Sequence, residues 1–290
     1  MLMTLDPRLT PARPDLAASH LRGQVEAERF VDGVPRVVVA AQAPLRRRRE
    51  PDAPLDTEAL FGEVVTVYEA DDEGWSWAQL DDGYVGYLPS EALAAPGPAP
   101  THRVAALRTF VFPAASIKTP PVTTLSLGAR VAVARTEGVF AVLATGGFVF
   151  SAHLASIDTV EPDFVAVAET FVGTPYLWGG KSSLGLDCSG LVQVALAAAG
   201  IAAPRDSDMQ ERGLGTALPA PHDLASWRRG DLVFWTGHVA IVRDAATILH
   251  ANAHHMAVAI EPAAAAVARI AAAGGAITSV RRLADPPPPV

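Results

Sequence analysis

From Val31 to about residue 157 the chain consists of short β-type runs broken by turn residues, a texture that confines this half to small sheets. Runs at Val37–Ala41, Gly62–Val67, Trp75–Leu80 and Gly83–Leu88 are rich in β-branched and aromatic side chains, which suit a pleated, half-buried surface. Asp71-Asp72-Glu73-Gly74 and Asp81-Asp82-Gly83 supply tight turns, because Asp bonds to the backbone two residues on and Gly accepts a positive φ. Ala94-Ala95-Pro96-Gly97-Pro98-Ala99-Pro100 reads as a linker. A second group of runs lies at Arg103–Leu107, Ala129–Ala134, Val139–Ala144 and Gly147–Phe150. Residues 1–30, with Pro7, Pro11 and Pro14 amid mixed charge, read as an extended arm with one short helix near His20–Arg29.

The two β groups end alike. Gly83-Tyr84-Val85-Gly86-Tyr87-Leu88 runs into Ser90-Glu91-Ala92-Leu93, and Gly147-Phe148-Val149-Phe150 runs into Ser151-Ala152-His153-Leu154. Such an internal repeat predicts two small all-β barrels, at 31–98 and 101–158. The Gly-Tyr-Val-Gly-Tyr-Leu-Pro ending of the first copy resembles bacterial SH3-like domains.

After Ile157 the texture changes to mixed helix and strand, giving an α+β domain over 159–290. Pro162–Val172 is expected to be a helix with Pro in its first turn and Gly173 as its stop, and Cys188–Ala199 a second one closed by Gly200. The second is apolar on nearly every side apart from Gln193 and is therefore expected to be buried. Strands are expected at Asp231–Trp235, His238–Val242, Thr247–Ala251 and Ala257–Ile260. Asp285 and the prolines after it read as a short polyproline tail.

With 290 residues and a formal charge of −8, the chain lacks the clustered Lys/Arg that neutralises phosphates, so no nucleic-acid partner is expected. The start, Met1-Leu2-Met3-Thr4-Leu5-Asp6, has no basic segment followed by an apolar core, and the apolar stretches at Leu191–Ala203 and Ala263–Val280 are interrupted. Neither a signal peptide nor a membrane helix is expected, which predicts a cytoplasmic protein. The single cysteine permits no disulfide within the chain and fits a reducing compartment or a catalytic thiol.

Cys188 sits in the first turn of its expected helix, where the helix dipole and unpaired N–H groups favour thiolate. A nucleophile also needs a base. If His238–Val242 and Thr247–Ala251 form a hairpin with its turn centred on Asp244, His238 lies directly opposite His250, and one imidazole can take the thiol proton while the other orients it. The plainer alternatives are a buried small cysteine and two unrelated histidines. His254 and His255 follow closely, but without nearby carboxylates they do not make a zinc set, and no metal or cofactor is expected.

Six motifs occur in one order: Gly173-Thr174-Pro175-Tyr176-Leu177-Trp178-Gly179-Gly180, Asp187-Cys188-Ser189-Gly190-Leu191-Val192, Pro204-Arg205-Asp206-Ser207, Gly230-Asp231-Leu232-Val233-Phe234, Gly237-His238-Val239-Ala240-Ile241 and Ile248-Leu249-His250-Ala251. Together they resemble the NlpC-type family of murein cysteine peptidases, whose core is papain-like and is commonly preceded by SH3-like domains. The resemblance implies Cys188 as nucleophile, His238 as general base and acid, and His250 as its orienting residue. It offers the Cys188 N–H and the Tyr176 hydroxyl for the oxyanion, and Asp187, Ser189, Asp206 and Ser207 at the substrate groove. The alternatives are core packing for Tyr176 and helix capping for the two Asp/Ser pairs. Trp178 is expected to be structural, in a loop closely packed at Gly179-Gly180.

The overall arrangement resembles the intracellular γ-D-glutamyl-L-diamino acid endopeptidases, in which the first small barrel closes the groove. That likeness assigns Glu50, in Arg46-Arg47-Arg48-Arg49-Glu50-Pro51, to a free α-ammonium, with Tyr84 as the adjoining wall. Otherwise Glu50 is a solvated charge among arginines. The implied substrate is a released murein peptide of the type L-Ala-γ-D-Glu-diamino acid. The competing readings are a hydrolase of intact wall whose SH3-like domains bind it, and an inactive murein-binding module.

Overall fold

The computed structural model describes residues 5–220 and 223–284, so the proline tail lies outside the described residues. The chain divides into two compact units, one before Thr159 and one from Thr159 on.

In the first unit, β1 (Leu16–Ala18) and β2 (Arg29–Val31) pair in parallel. The main sheet contains β3 (Val34–Val38), β4 (Gln42–Arg46), β5 (Leu55–Leu60), β6 (Val64–Ala70), β7 (Trp75–Gln79), β8 (Val85–Pro89) and β9 (Leu93–Ala94), in the order β5-β4-β8-β7-β6-β3-β9. Alternation along these strands puts Val38, Leu45, Val65, Ala78 and Leu88 into one buried cluster. The expected helix near His20–Arg29 is instead one 3₁₀ turn, Ser19–Leu21, followed by chain that turns at Gly23 with a positive φ and enters β2. Tertiary contacts override local propensity here: Leu16, Ala17 and Ala18 are buried, and Arg13 lies over Trp77 at 4.4 Å while pairing with Glu69 and donating to the Tyr87 hydroxyl. The described part of this arm is thus stitched to the sheet.

Further along lie β10 (His102–Val104), β11 (Arg108–Phe112), β12 (Thr123–Ser126), β13 (Arg130–Val131), β14 (Val133–Glu137), β15 (Phe140–Leu143), β16 (Phe148–Phe150) and β17 (Leu154–Ser156). They form a five-stranded sheet, β12-β11-β16-β15-β14, and a three-stranded one, β13-β10-β17. None of these sheets closes into a barrel by its strand pairing. The repeated ending is visible: β8 and β16 each run into one 3₁₀ turn and then a short strand, β9 and β17.

The second unit begins with α1 (Phe164–Glu169), capped by the Asp163 carboxylate on the N–H groups of Val165 and Ala166. The hairpin of β18 (Lys181–Ser182) and β19 (Gly185–Leu186) precedes α2 (Cys188–Ala198), in which every residue except Ala197 is buried. This helix packs against α1 and against the sheet, its apolar circumference leaving no face suited to water. Next come α3 (Ser207–Gly213), β20 (Thr216–Ala217), β21 (Leu232–Trp235), β22 (His238–Val242), β23 (Thr247–Asn252), β24 (Ala257–Pro262), α4 (Ala263–Ala272) and β25 (Ile277–Arg282). The antiparallel sheet runs β20-β25-β21-β22-β23-β24. Ala263 and Ala266 of α4 join Val233, Trp235, Ala240, Val242 and Ile248 in its core. The interrupted apolar stretch 263–280 therefore resolves into α4 and β25. No helix among the described residues is long and apolar enough to cross a membrane.

Gly190, in the first turn of α2, is where the helix meets the preceding loop: a Cβ there would collide with the carbonyl oxygen of Gly180. Gly190→Ala is expected to cost about 1–3 kcal/mol through overpacking, measured by urea unfolding, while Gly97→Ala, which meets open space, should change little.

Candidate active site

Cys188 is the first residue of α2 and is buried. Its helix starts there because Asp187 is extended and its carboxylate accepts from Gly190 N–H at 2.7 Å, an N-cap. The same carboxylate accepts from Gly179 N–H at 2.8 Å and takes both arms of Arg205, at 2.9 and 2.7 Å. Arg205 is only 1% exposed and also donates to Ser189 Oγ and to the Gly180 carbonyl. Burial alone would lower the basicity of that guanidinium, but Asp187 reverses the effect and holds it above its ordinary value. Asp187 and Ser189 are thus engaged in fastening the helix start to the 179–180 loop. Gln210 adds bonds to the Ser189 and Pro204 carbonyls.

The thiol is not a resting thiolate. Burial, and after it the Asp187 carboxylate, push Cys188 up to about 11, against the amides of Val239 and Ser189 and the charge of Arg205, which favour the anion. The helix dipole read from the sequence is a smaller effect than desolvation. The Val239 amide bond ties the sulfur to the residue that follows His238 in β22.

His238 and His250 do meet, but not as directly opposed residues. The β22–β23 register pairs Ile241 with Leu249 and Val242 with Ile248, two residues from the expected alignment. Asp244 begins the turn instead of centring it, its carboxylate accepting from the N–H groups of Ala246 and Thr247. A shift of two keeps every side chain on its face, so the histidines become diagonal neighbours with His238 Nε2 2.8 Å from His250 Nδ1. His250 Nε2 lies 2.7 Å from Glu261 Oε1, and Glu261 also pairs with Arg269 of α4. Burial, then His250 and Arg269, bring His238 down to about 3. Burial outweighs the Glu261 bond and brings His250 down to about 4. Both imidazoles are therefore neutral at neutral pH.

Tyr176 is half-buried, and burial followed by the proximity of Cys188 and Asp187 raises its hydroxyl to about 12, so it remains a hydrogen-bond donor. Its neighbour Trp178 is 66% exposed, so the loop packs tightly through Gly180 and not through that ring. Asp206 precedes α3 without capping it by its side chain, and Ser207 is the first helical residue. In the other unit, Glu50 is exposed, pairs with Arg48 at 3.2 Å and lines an open cleft of about 440 Å³ with Arg47, Arg49, Glu73 and Tyr87. Tyr84 is 3% exposed and belongs to that unit's apolar core, because the alternation of β8 turns Tyr87 towards the cleft instead. His250, His255 and Glu261 bring donor atoms within 4.8 Å of one another. The carboxylate that the histidine spacing seemed to lack comes from β24, but both ring nitrogens of His250 are already in hydrogen bonds.

Three functional groups were missed in the sequence: Arg205, although it lies inside one of the six motifs, Glu261, and Arg269. For Glu261 the available signal was its two-residue diagonal from His250 across the β23–β24 pair.

A buried cysteine at a helix start, its sulfur hydrogen-bonded to an amide of an antiparallel sheet that carries two hydrogen-bonded histidines, marks this α+β domain. Residues 173–269 match the NlpC/P60 family, and residues 45–93 match the bacterial dipeptidyl-peptidase SH3 domain. The chain thus carries an NlpC/P60 domain in its second unit and an SH3-like domain in its first. A dipeptidyl-peptidase 6 of Lysinibacillus sphaericus is 27% identical over 240 residues, 74% of this chain and 87% of that protein. A gamma-D-glutamyl-L-lysine dipeptidyl-peptidase of Bacillus subtilis is 29% identical over 198 residues, 63% of this chain and 65% of that protein. The crystal structure of an NlpC/P60 family protein from Bacillus cereus superposes with a TM-score of 0.69 at 21% identity, covering 86% of this chain and 99% of that one, which speaks for the fold.

Because the thiol is held neutral up to about 11, iodoacetamide alkylation of Cys188 is expected to accelerate about tenfold per pH unit between roughly pH 6 and 9. A rate independent of pH over that range would show a preformed thiolate.

Proposed function

We propose that the protein is a cysteine endopeptidase that hydrolyses the γ-D-glutamyl to diamino acid bond of released murein peptides with a free N-terminal L-Ala. The observation that carries the reading is the placement of a helix-start thiol beside the strand that begins at His238, whose Nε2 is engaged by a second, fully buried histidine. The name of the Bacillus subtilis relative supports the bond type. Action on released peptides in the cytoplasm is part of the same proposal and rests on the resemblance to the intracellular endopeptidases.

In this reading the neutral pair reacts in concert with attack. His238 Nδ1 takes the Cys188 proton as the sulfur adds to the γ-carbonyl, and the oxyanion is met by the Cys188 N–H and the Tyr176 hydroxyl. The imidazolium then protonates the leaving amine, and water hydrolyses the thioester. His250 orients His238. Asp206 and Ser207, at the start of α3, are assigned to the peptide on the acyl side. Asp187 and Ser189 serve it indirectly, by holding the helix start.

The reading gives Glu50 the pairing of the substrate α-ammonium, with Tyr87 as the ring beside it in place of Tyr84. It also takes the second β group as a second SH3-like unit, supported by its matching strand, 3₁₀ turn and strand ending.

Free L-Ala-γ-D-Glu-diamino acid peptides, their N-acetylated copies and whole sacculi, with products read by mass, test the proposal. The free peptide should be cut at the γ-glutamyl bond and the acetylated copy barely at all; equal rates on both, or release from sacculi, would favour the intact-wall hydrolase. Cys188→Ala should abolish turnover, and His238→Ala should approach that loss while His250→Gln retains more activity. Glu50→Ala should lower kcat/KM for the free peptide up to about fivefold with little change in stability, since a charge pair at an exposed carboxylate is worth about 0–1 kcal/mol.

A further inference from the structure

We propose that Glu261 is a positioning residue that sets the tautomers of His250 and His238, leaving the lone pair of His238 on Nδ1. Its importance for turnover rests on the peptidase reading above; the tautomer assignment stands without it. The geometry is regular. Along one face of the sheet His238 on β22, His250 on β23 and Glu261 on β24 succeed one another as two-residue diagonals, because β22–β23 pairs Ile241 with Leu249 and β23–β24 pairs His250 with Ala259. Each diagonal is short enough for an imidazole to bridge.

Hydrogen-bond arithmetic then fixes the protons. An ionised carboxylate only accepts, so His250 Nε2, 2.7 Å from Glu261 Oε1, must carry hydrogen. Neutral imidazole has one N–H, which makes His250 Nδ1 an acceptor. His238 Nε2, 2.8 Å from it, must therefore donate. That leaves His238 Nδ1 unprotonated, the form a general base needs.

Arg269 keeps the terminus of this chain ionised. The Glu261 side chain is 11% exposed, and burial would raise its carboxyl, but the bond from His250 and the charge of Arg269 outweigh burial and hold it below the ordinary carboxylate range. When the thiol S–H breaks and N–H forms at His238 Nδ1, the imidazolium keeps its Nε2–H on His250. The new positive charge then faces a hydrogen-bonded path ending in a carboxylate. Without Glu261 the two ring protons can reverse, placing hydrogen on His238 Nδ1 and closing it to the thiol.

The test is nitrogen NMR of the full chain with ¹⁵N-labelled histidine at about pH 8, where imidazole is neutral, with His238 and His250 assigned through His238→Gln and His250→Gln. Wild-type protein should show both residues protonated at Nε2. Glu261→Leu, which leaves His250 Nε2 beside Arg269 with no carboxylate to accept its proton, should show protonated Nδ1 at His238. It should also lower kcat on the free peptide roughly 10- to 1000-fold at nearly unchanged KM, below the ~10⁴-fold known for a wrong tautomer directly behind a catalytic histidine. Glu261→Asp should restore part of the rate. Protonated Nδ1 at His238 in the wild type would overturn the proposal, as would wild-type tautomers and kcat within about twofold in Glu261→Leu. Should Glu261→Leu not fold, the wild-type spectrum decides alone. Protein that shows the expected tautomers but cuts no peptide would remove the peptidase reading and leave the tautomer assignment standing.

Discussion

The second unit depends on one buried charge pair. Arg205, 1% exposed, spans the gap between the start of α2 and the loop before it, holding Asp187 with both arms while donating to Ser189 and Gly180. Removing one member of such a pair leaves an uncompensated charge in the interior, a loss of about 3–5 kcal/mol. Asp187 is placed by that pair as the cap of α2, and the cap places Cys188. Gly179, Gly180 and Gly190 have no side chains to interfere, so loop and helix can approach to hydrogen-bonding distance.

The same burial sets the electrostatics of the site. The thiol and the two imidazoles are all pushed away from their charged forms, the thiol upward and the imidazoles downward. A resting ion pair would require more solvation, or a nearby charge not already paired. Arg205 does not supply it, since its fork is occupied by Asp187. In the proposed reaction charge separation is deferred until the carbonyl is present to receive the sulfur, and the Val239 and Ser189 amides favour the anionic form of the thiol.

The sequence revealed most where chemistry follows from local pattern. The helix beginning at Cys188, its burial, the four strands of the central sheet and the proximity of the two histidines could all be read from periodicity, caps and turns. The error in the hairpin was one of centring: Asp244 begins the turn, and because the shift is two residues the histidines still share a face. What was illegible depends on distant contacts. Arg13 on Trp77, the burial of Tyr84 and the reach of Arg269 to Glu261 join residues whose spacing in the chain carries no period. The sheets of the first unit were likewise underestimated, with β4 and β5 hidden among arginines and acidic residues that read as loop.

The central claim is that Cys188 sulfur attacks a γ-glutamyl carbonyl. An L-Ala-γ-D-Glu analogue with a fluoromethyl ketone at the γ-carbonyl tests it directly, read by intact mass and peptide mapping. The account predicts one adduct, on the Cys188 sulfur, formed in step with loss of activity and slowed by free peptide. Full inactivation with the label on another residue, or a labelled Cys188 with activity intact, would contradict it.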